Sequence, residues 1–195
     1  MATVARWPTA SSPEDGLPRR HRSTSSRTFV NTEIPDWDRD DIETPEALAA
    51  WLAGRGLLEA GARVDADVLA AAHALRATLR ELALANTLGS AVAPERAEQL
   101  DATLARFPLA VRLVDGAPTL APAADGGMRC LATLVAIVAE ARHRAVWERM
   151  KACRQETCGW LFYDGSRNRS SSWCSMRVCG GREKARAHRR RARHA

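Results

Sequence analysis

A chain of 195 residues, 46% hydrophobic and 27% charged, has the composition of a soluble globular protein with room for one ordinary domain and one small one. Its longest apolar run, Leu131 to Ala139, is about half of what a bilayer-spanning helix needs, and residues 1–28 hold no apolar stretch of a secretory signal, so a cytoplasmic chain is the default expectation. Residues 151–195 carry twelve Lys and Arg against Glu156, Asp164 and Glu183, a net of +9, whereas residues 1–150 sum to −3; a basic end on an acidic body suits a polyanion, with nucleic acid ahead of membrane.

Residues 1–28 are rich in Pro, Ser, Thr and Arg, and this composition predicts a disordered tail. Order is expected from Phe29-Val30-Asn31-Thr32, followed by an acidic loop over 33–43. Asn31 and Thr32 are read as turn or cap residues. Thr44-Pro45-Glu46 marks a helix start that Gly54 and Gly56 end. A second helix from Asp65 to about Asn86 has Val68, Leu69, Ala72, Leu75, Leu79, Leu82 and Ala83 on one face. A third is expected from Pro94 to about Arg106. Leu109–Val114 and Thr119–Pro122 flank Asp115-Gly116 as a β-hairpin, with Pro118 limiting the second strand. A long helix is predicted from about Met128 to Lys151, leading directly into Cys153. The fold class is therefore α+β: a mostly helical N-terminal domain with a β-hairpin over 29–150, then a small module over 151–195.

Four of the five cysteines fall in that module. Cys153 and Cys158 enclose four residues, Cys158 and Cys174 fifteen, and Cys174 and Cys179 four. Two close pairs around a spacer can turn four sulfurs onto one metal, which predicts one structural zinc ion held by Cys153, Cys158, Cys174 and Cys179. Disulfides would use the same residues but are disfavoured in a reducing compartment. The spacer is expected to fold as a hairpin, with a strand over Trp160–Tyr163, a turn at Asp164-Gly165-Ser166 and a return over Ser170–Trp173. Such a small module needs a metal to fold, and Cys174→Ser is expected to unfold it while sparing the helical body. Cys130, beside an apolar run, reads as a buried inert thiol, and His73 and His143 as structural histidines.

Cys158-Gly159-Trp160-Leu161-Phe162-Tyr163-Asp164, Ser166-Arg167-Asn168-Arg169-Ser170, Trp173-Cys174-Ser175-Met176 and Cys179-Gly180-Gly181-Arg182 resemble the CGNR zinc-finger family. In that family the finger follows an N-terminal ABATE domain, which residues 29–150 resemble in Phe29-Val30-Asn31-Thr32, the Ala-Leu-rich helices and the central hairpin. The resemblance implies a transcription regulator that binds DNA. One departure stands out: Gly181 occupies the position of the family's eponymous Asn. Glycine is an acceptable substitute if that Asn caps a helix, whereas one contact is missing if it touches DNA.

Beyond Cys179, residues 182–193 predict a basic helix with Arg182, Arg186, Arg189, Arg190 and Arg193 on one face and Lys184 nearby. These residues, with Arg167 and Arg169 in the spacer loop, are the candidate DNA contacts. Trp160, Phe162, Tyr163 and Trp173 are expected mainly to pack around the metal, with base stacking as the alternative. No HExxH, GxGxxG, phosphate loop or nucleophile elbow is present, and the chain is not expected to be an enzyme. The body is expected to dimerise or to sense a small-molecule effector. The rival function is a protein-interaction adaptor whose zinc module docks an acidic protein.

Overall fold

The computed structural model describes residues 29–193. The tail expected over residues 1–28 lies outside the described residues. A 3₁₀ turn, Phe29–Thr32, opens the fold and is buried throughout. Two short antiparallel strands follow, β1 (Glu33–Ile34) and β2 (Arg39–Asp40), around a second 3₁₀ turn at Pro35–Trp37.

Helix α1 (Pro45–Ala53) begins where Thr44 and Pro45 predict: the Thr44 hydroxyl accepts the Ala47 N–H, and Pro45 fills a position that needs no donor. Helix α2 (Ala66–Leu88) is capped in the same way by Asp65, which accepts the Val68 N–H at 2.8 Å, and Gly89 ends it in the left-handed conformation. Its buried face contains Val68, Ala72, Leu75, Leu79 and Ala83, as the spacing predicts, and also Arg76. The Arg76 guanidinium makes two bonds, of 2.7 and 2.6 Å, to the Asp40 carboxylate and a third to Thr32. Burial alone would raise the Asp40 carboxyl, but the bonds from Arg76 and from the Ile42 N–H hold it below the ordinary carboxylate range. A charge on an apolar stripe is tolerated here because it is paired on arrival.

Helix α3 spans Pro94–Leu104. Strands β3 (Leu109–Val114) and β4 (Ala117–Pro122) form the expected hairpin, with Asp115 and Gly116 both at positive φ in the two-residue turn. Pro118 does not limit β4, which pairs through to Pro122. Ladder bonds alternate outward from the closing pair Val114–Ala117, so Pro118 and Pro122 stand where an N–H would point away from β3.

Helix α4 (Gly126–His143) is the largest departure from expectation, because the predicted helix to Lys151 ends eight residues early. Ala145 turns the chain with φ 53°, a 3₁₀ turn covers Trp147–Arg149, and Met150–Ala152 becomes strand β5. Strand β5 pairs antiparallel with β6 (Leu161–Tyr163), and all three of its residues are buried. A helix would leave that pairing unmade and carry Cys153 away from the other cysteines. The spacer contains no strand at Ser170–Trp173, so β5 replaces that expected partner.

The two modules share one interior. Trp147, Met150, Ala152 and Leu161 belong to the same apolar cluster as Leu48, Leu75, Leu79 and Leu131. Asn86 donates to the carbonyls of Trp147 and Met150, and Thr87 donates to that of Ala152. Asn31 is more than a turn residue: its amide donates to the Leu161 carbonyl at 2.9 Å and accepts the Leu161 N–H at 2.7 Å. One side chain thus stands in for a third strand beside β6, while Thr32 does act locally by bonding the Phe29 carbonyl. Asn31→Ala leaves two buried backbone groups unpaired, and urea unfolding of the zinc-loaded protein should show a loss of about 2–5 kcal/mol. A variant within about 0.5 kcal/mol of wild type would mean that water replaces the amide without penalty.

Candidate metal centre and basic helix

The first two cysteines sit on a turn that follows β5. The Cys153 N–H bonds to the Trp160 carbonyl, and the N–H groups of Cys158 and Gly159 both reach the Gln155 carbonyl, which closes the turn. Gly159 has φ 52°, and a Cβ there would stand 3.0 Å from the Arg80 side chain, so glycine lets the turn lie against α2. The second pair follows a different plan. Ser175 caps a single wide turn, Met176–Gly180, by accepting the Val178 N–H, and α5 (Gly181–Ala192) starts directly after it. Cys174 and Cys179 therefore sit at a helix entrance. A Cβ at Gly180 would come within 2.9 Å of the Met176 sulfur and 3.3 Å of Trp173, so a larger residue there would displace the exposed Met176 side chain.

All four cysteines are buried, and their sulfurs lie within 4.8 Å of one another. Cys174 stands 3.7 Å from both Cys158 and Cys179. A tetrahedron with metal–sulfur bonds of about 2.3 Å has edges of about 3.8 Å, so the cage has the size for zinc. Four thiolates in that volume need a cation. Cys153 as a thiolate, taking hydrogen bonds from Cys158 and Cys174, falls to about 2. Sharing those bonds pushes Cys158 and Cys174 up, and burial with the neighbouring sulfurs pushes Cys179 up to about 12. A divalent cation relieves the conflict, and the helix entrance adds a favourable dipole for the bound anions. With four protein sulfurs filling the tetrahedron no position remains for water, so the ion is structural. Phe162 is buried against the cysteines, with Trp160, Trp173 and Val178 packed around them, while Tyr163 is exposed.

The spacer loop is held from inside. Asp164 is fully buried and accepts the N–H groups of Ser166 at 3.0 Å and Ser171 at 2.9 Å. The buried Lys151 ammonium lies 3.0 Å from Asp164 and also donates to the carbonyls of Arg169 and Ser171. Arg149 donates to the carbonyls of Asp164 and Ser166. The backbone of the loop thus points its carbonyls inward, and Arg167, Asn168, Arg169 and Ser170 are exposed on its outer side.

Helix α5 has no buried residue. Arg182 forms an ion pair of 2.9 Å with Asp36 of the body, while Arg186 and Arg190 both reach Glu183, at 3.2 and 3.0 Å. Among the described residues, Lys184, Arg189 and Arg193 make no ion pair. The expected arginine face is therefore present but occupied at its N-terminal end. Arg154 and Arg177 are further exposed cations beside the cysteine cluster that helical periodicity does not point to; their place between paired cysteines is the signal in the sequence that could have found them. Gly181 occupies the first turn of α5, where a Cβ would have only the Met176 carbonyl at 3.8 Å nearby, so the family's Asn would fit.

A four-cysteine zinc finger, docked on a mostly helical body and extended by a basic helix, defines the class of protein. Residues 26–145 match the family model ABATE, described as "Putative stress-induced transcription regulator", and residues 149–192 match the CGNR zinc finger. The chain belongs to the ABATE family and carries a CGNR zinc finger at its C-terminal side. No curated protein matches it. No helix among the described residues is long and apolar enough to cross a membrane. Cys130 is buried, its thiol donates to the Leu57 carbonyl, and burial pushes it up, all of which suit an inert thiol.

Proposed function

We propose that the chain is a DNA-binding transcription regulator and not an enzyme, with α5 and the spacer loop as its contact surface. The observation that supports this reading best is α5 itself. Seven cations stand between Arg182 and Arg193, and no residue of the helix is buried. Such a helix adds nothing to a core, and its mutual repulsion opposes folding, so its charge is best accounted for by an anionic partner. Twelve residues make a rod about 18 Å long, and a single helix fits the major groove. The metal fixes one end of that rod, so part of the ordering cost is met before binding. Arg167 and Arg169 would grip neighbouring phosphates from the loop, and Arg154 and Arg177 extend the same charge. Arg182 would have to exchange Asp36 for phosphate or remain a brace between modules.

The test replaces Arg186, Arg189, Arg190 and Arg193 together with Ala in the full zinc-loaded chain. Zinc content should stay at one per chain, because none of these residues is a ligand. Binding to a duplex, followed by fluorescence anisotropy, should give a wild-type slope of log K against log salt of about −4 to −5, for four to six phosphate contacts. Each lost contact should flatten it by roughly one unit. Equal binding by wild type and variant at moderate salt would overturn the assignment and favour docking of an acidic protein.

A further inference from the structure

The β3–β4 hairpin is built in reverse for the surface of a monomer. Its register puts Leu109, Val111, Leu113, Pro118, Leu120 and Pro122 on one face and Ala110, Arg112, Val114, Ala117, Thr119 and Ala121 on the other. The hairpin rests on α4. Leu109 and Pro122 at its open end are half-buried, Leu109 against the main core, but beyond them the sheltered side is the one with Ala110, Val114, Thr119 and Ala121. The large ones face out: Val111 is 68% exposed, Leu113 77% and Leu120 44%. A single exposed aliphatic residue is ordinary, but three adjacent ones on one face, with Ala110, Thr119 and Ala121 sheltered on the other, are not.

The two edges also differ. The outward N–H positions of β4 are 118, 120 and 122, and prolines remove two of the three, which is a common guard against unwanted pairing. The outward positions of β3 are 109, 111 and 113, and all three keep their N–H. Among the described residues no third strand pairs with β3.

We propose that a second copy of this chain adds at the β3 edge, antiparallel across a two-fold axis at Val111. The outward groups fix that register. Val111 pairs with its own counterpart and Leu109 with Leu113 of the other copy, for about six new backbone hydrogen bonds. Arg112 then stands opposite Ala110 of the other copy, so no like charges meet, whereas an axis at Arg112 would oppose two guanidinium groups. The resulting four-stranded sheet has the order β4-β3-β3-β4, with both outer edges closed by prolines. Assembly therefore stops at two, which an unrelated strand with an open far edge would not ensure. The large aliphatic residues form a continuous set of cross-strand pairs. A strand edge about 20 Å long covers less than the standard interface of about 800 Å² per partner, so the dimer should be reversible.

Sedimentation velocity of the zinc-loaded protein should show mainly monomer at ~1 µM and a rising dimer fraction towards ~200 µM. Val111→Pro should abolish that rise. It removes one outward N–H at a position equivalent to Pro118 and Pro122, so the hairpin itself should fold. Val111→Lys, which sets two ammonium groups face to face, gives the same answer should the proline variant fail to fold. Val111→Cys should cross-link two chains under mild oxidation, since directly paired Cα atoms about 5.5 Å apart lie within disulfide reach. Leu120→Cys, on the guarded strand, should not cross-link. Monomer at every concentration, or a dimer that survives both Val111→Pro and Val111→Lys, would overturn the proposal.

Discussion

Removal of zinc is expected to unfold the helical body together with the finger. Trp147, Met150, Ala152 and Leu161 lie in the main apolar cluster, and the bonds from Asn31, Asn86 and Thr87 end on backbone groups of that same segment. Loss of the metal frees Cys153 and Cys158, and the β5–β6 pair loses its anchor at the end that carries them, leaving only the bonds to the body to hold it. A structural zinc ion contributes roughly 10–16 kcal/mol to the folding of an isolated finger, as much as the about 5–15 kcal/mol of an entire domain. Each large side chain that leaves the core removes a further about 2–5 kcal/mol. The expectation from sequence, that Cys174→Ser spares the body, therefore gives way to a single cooperative unit. Thermal melts followed at 222 nm report mainly α2 and α4, and these should melt at a much lower temperature after chelation or in Cys174→Ser. Hydrogen exchange along α2 should rise in step. Body helices that melt at an unchanged temperature without zinc would show that the shared core is dispensable.

What could be read from the sequence was what is decided locally. Thr44 with Pro45, Asp65, and Asp115 with Gly116 act on backbone groups within about three residues, and the helix starts and the hairpin stand where they put them. The metal site was legible for a similar reason, because four cysteines in close pairs have few other uses. The end of α4 was not. Val146 to Ala152 is compatible with a helix, and only pairing with Leu161–Tyr163 makes Met150–Ala152 a strand. Asn31 looks like a turn or cap residue in the sequence because its partner lies 130 positions away. Arg76, Lys151 and Asp164 were hidden in another way, since a charge in a sequence suggests solvent until its counterpart is seen. Arg182 shows the limit of helical periodicity: it lies on the expected face, but Asp36 already holds it.

The buried pair under the spacer loop should be the most sensitive point outside the metal ligands. Lys151 is 4% exposed and Asp164 0%, and together they bind four backbone groups of the loop that carries Arg167 and Arg169. Burial pushes the Asp164 carboxyl up, but the Ser166 and Ser171 bonds and the Lys151 ammonium outweigh it and hold it well below the usual range. A depressed carboxylate stabilises the fold above its unfolded value of about 3.9 and loses that contribution as pH falls through the folded value. At pH 7 the contribution is complete. Lys151→Met keeps the stem but leaves a buried carboxylate without its cation, and should cost about 3–5 kcal/mol in urea unfolding at pH 7. Adding Asp164→Asn to Lys151→Met should recover part of that loss, because the double variant buries no lone charge. The recovery separates an ion-pair role from simple packing, which a second substitution would only worsen. In the proposed DNA complex the same loop holds Arg167 and Arg169, so Lys151→Met should also weaken binding with zinc still at one per chain. A Lys151→Met protein as stable as wild type would mean that the N–H bonds from Ser166 and Ser171 suffice to hold Asp164 inside.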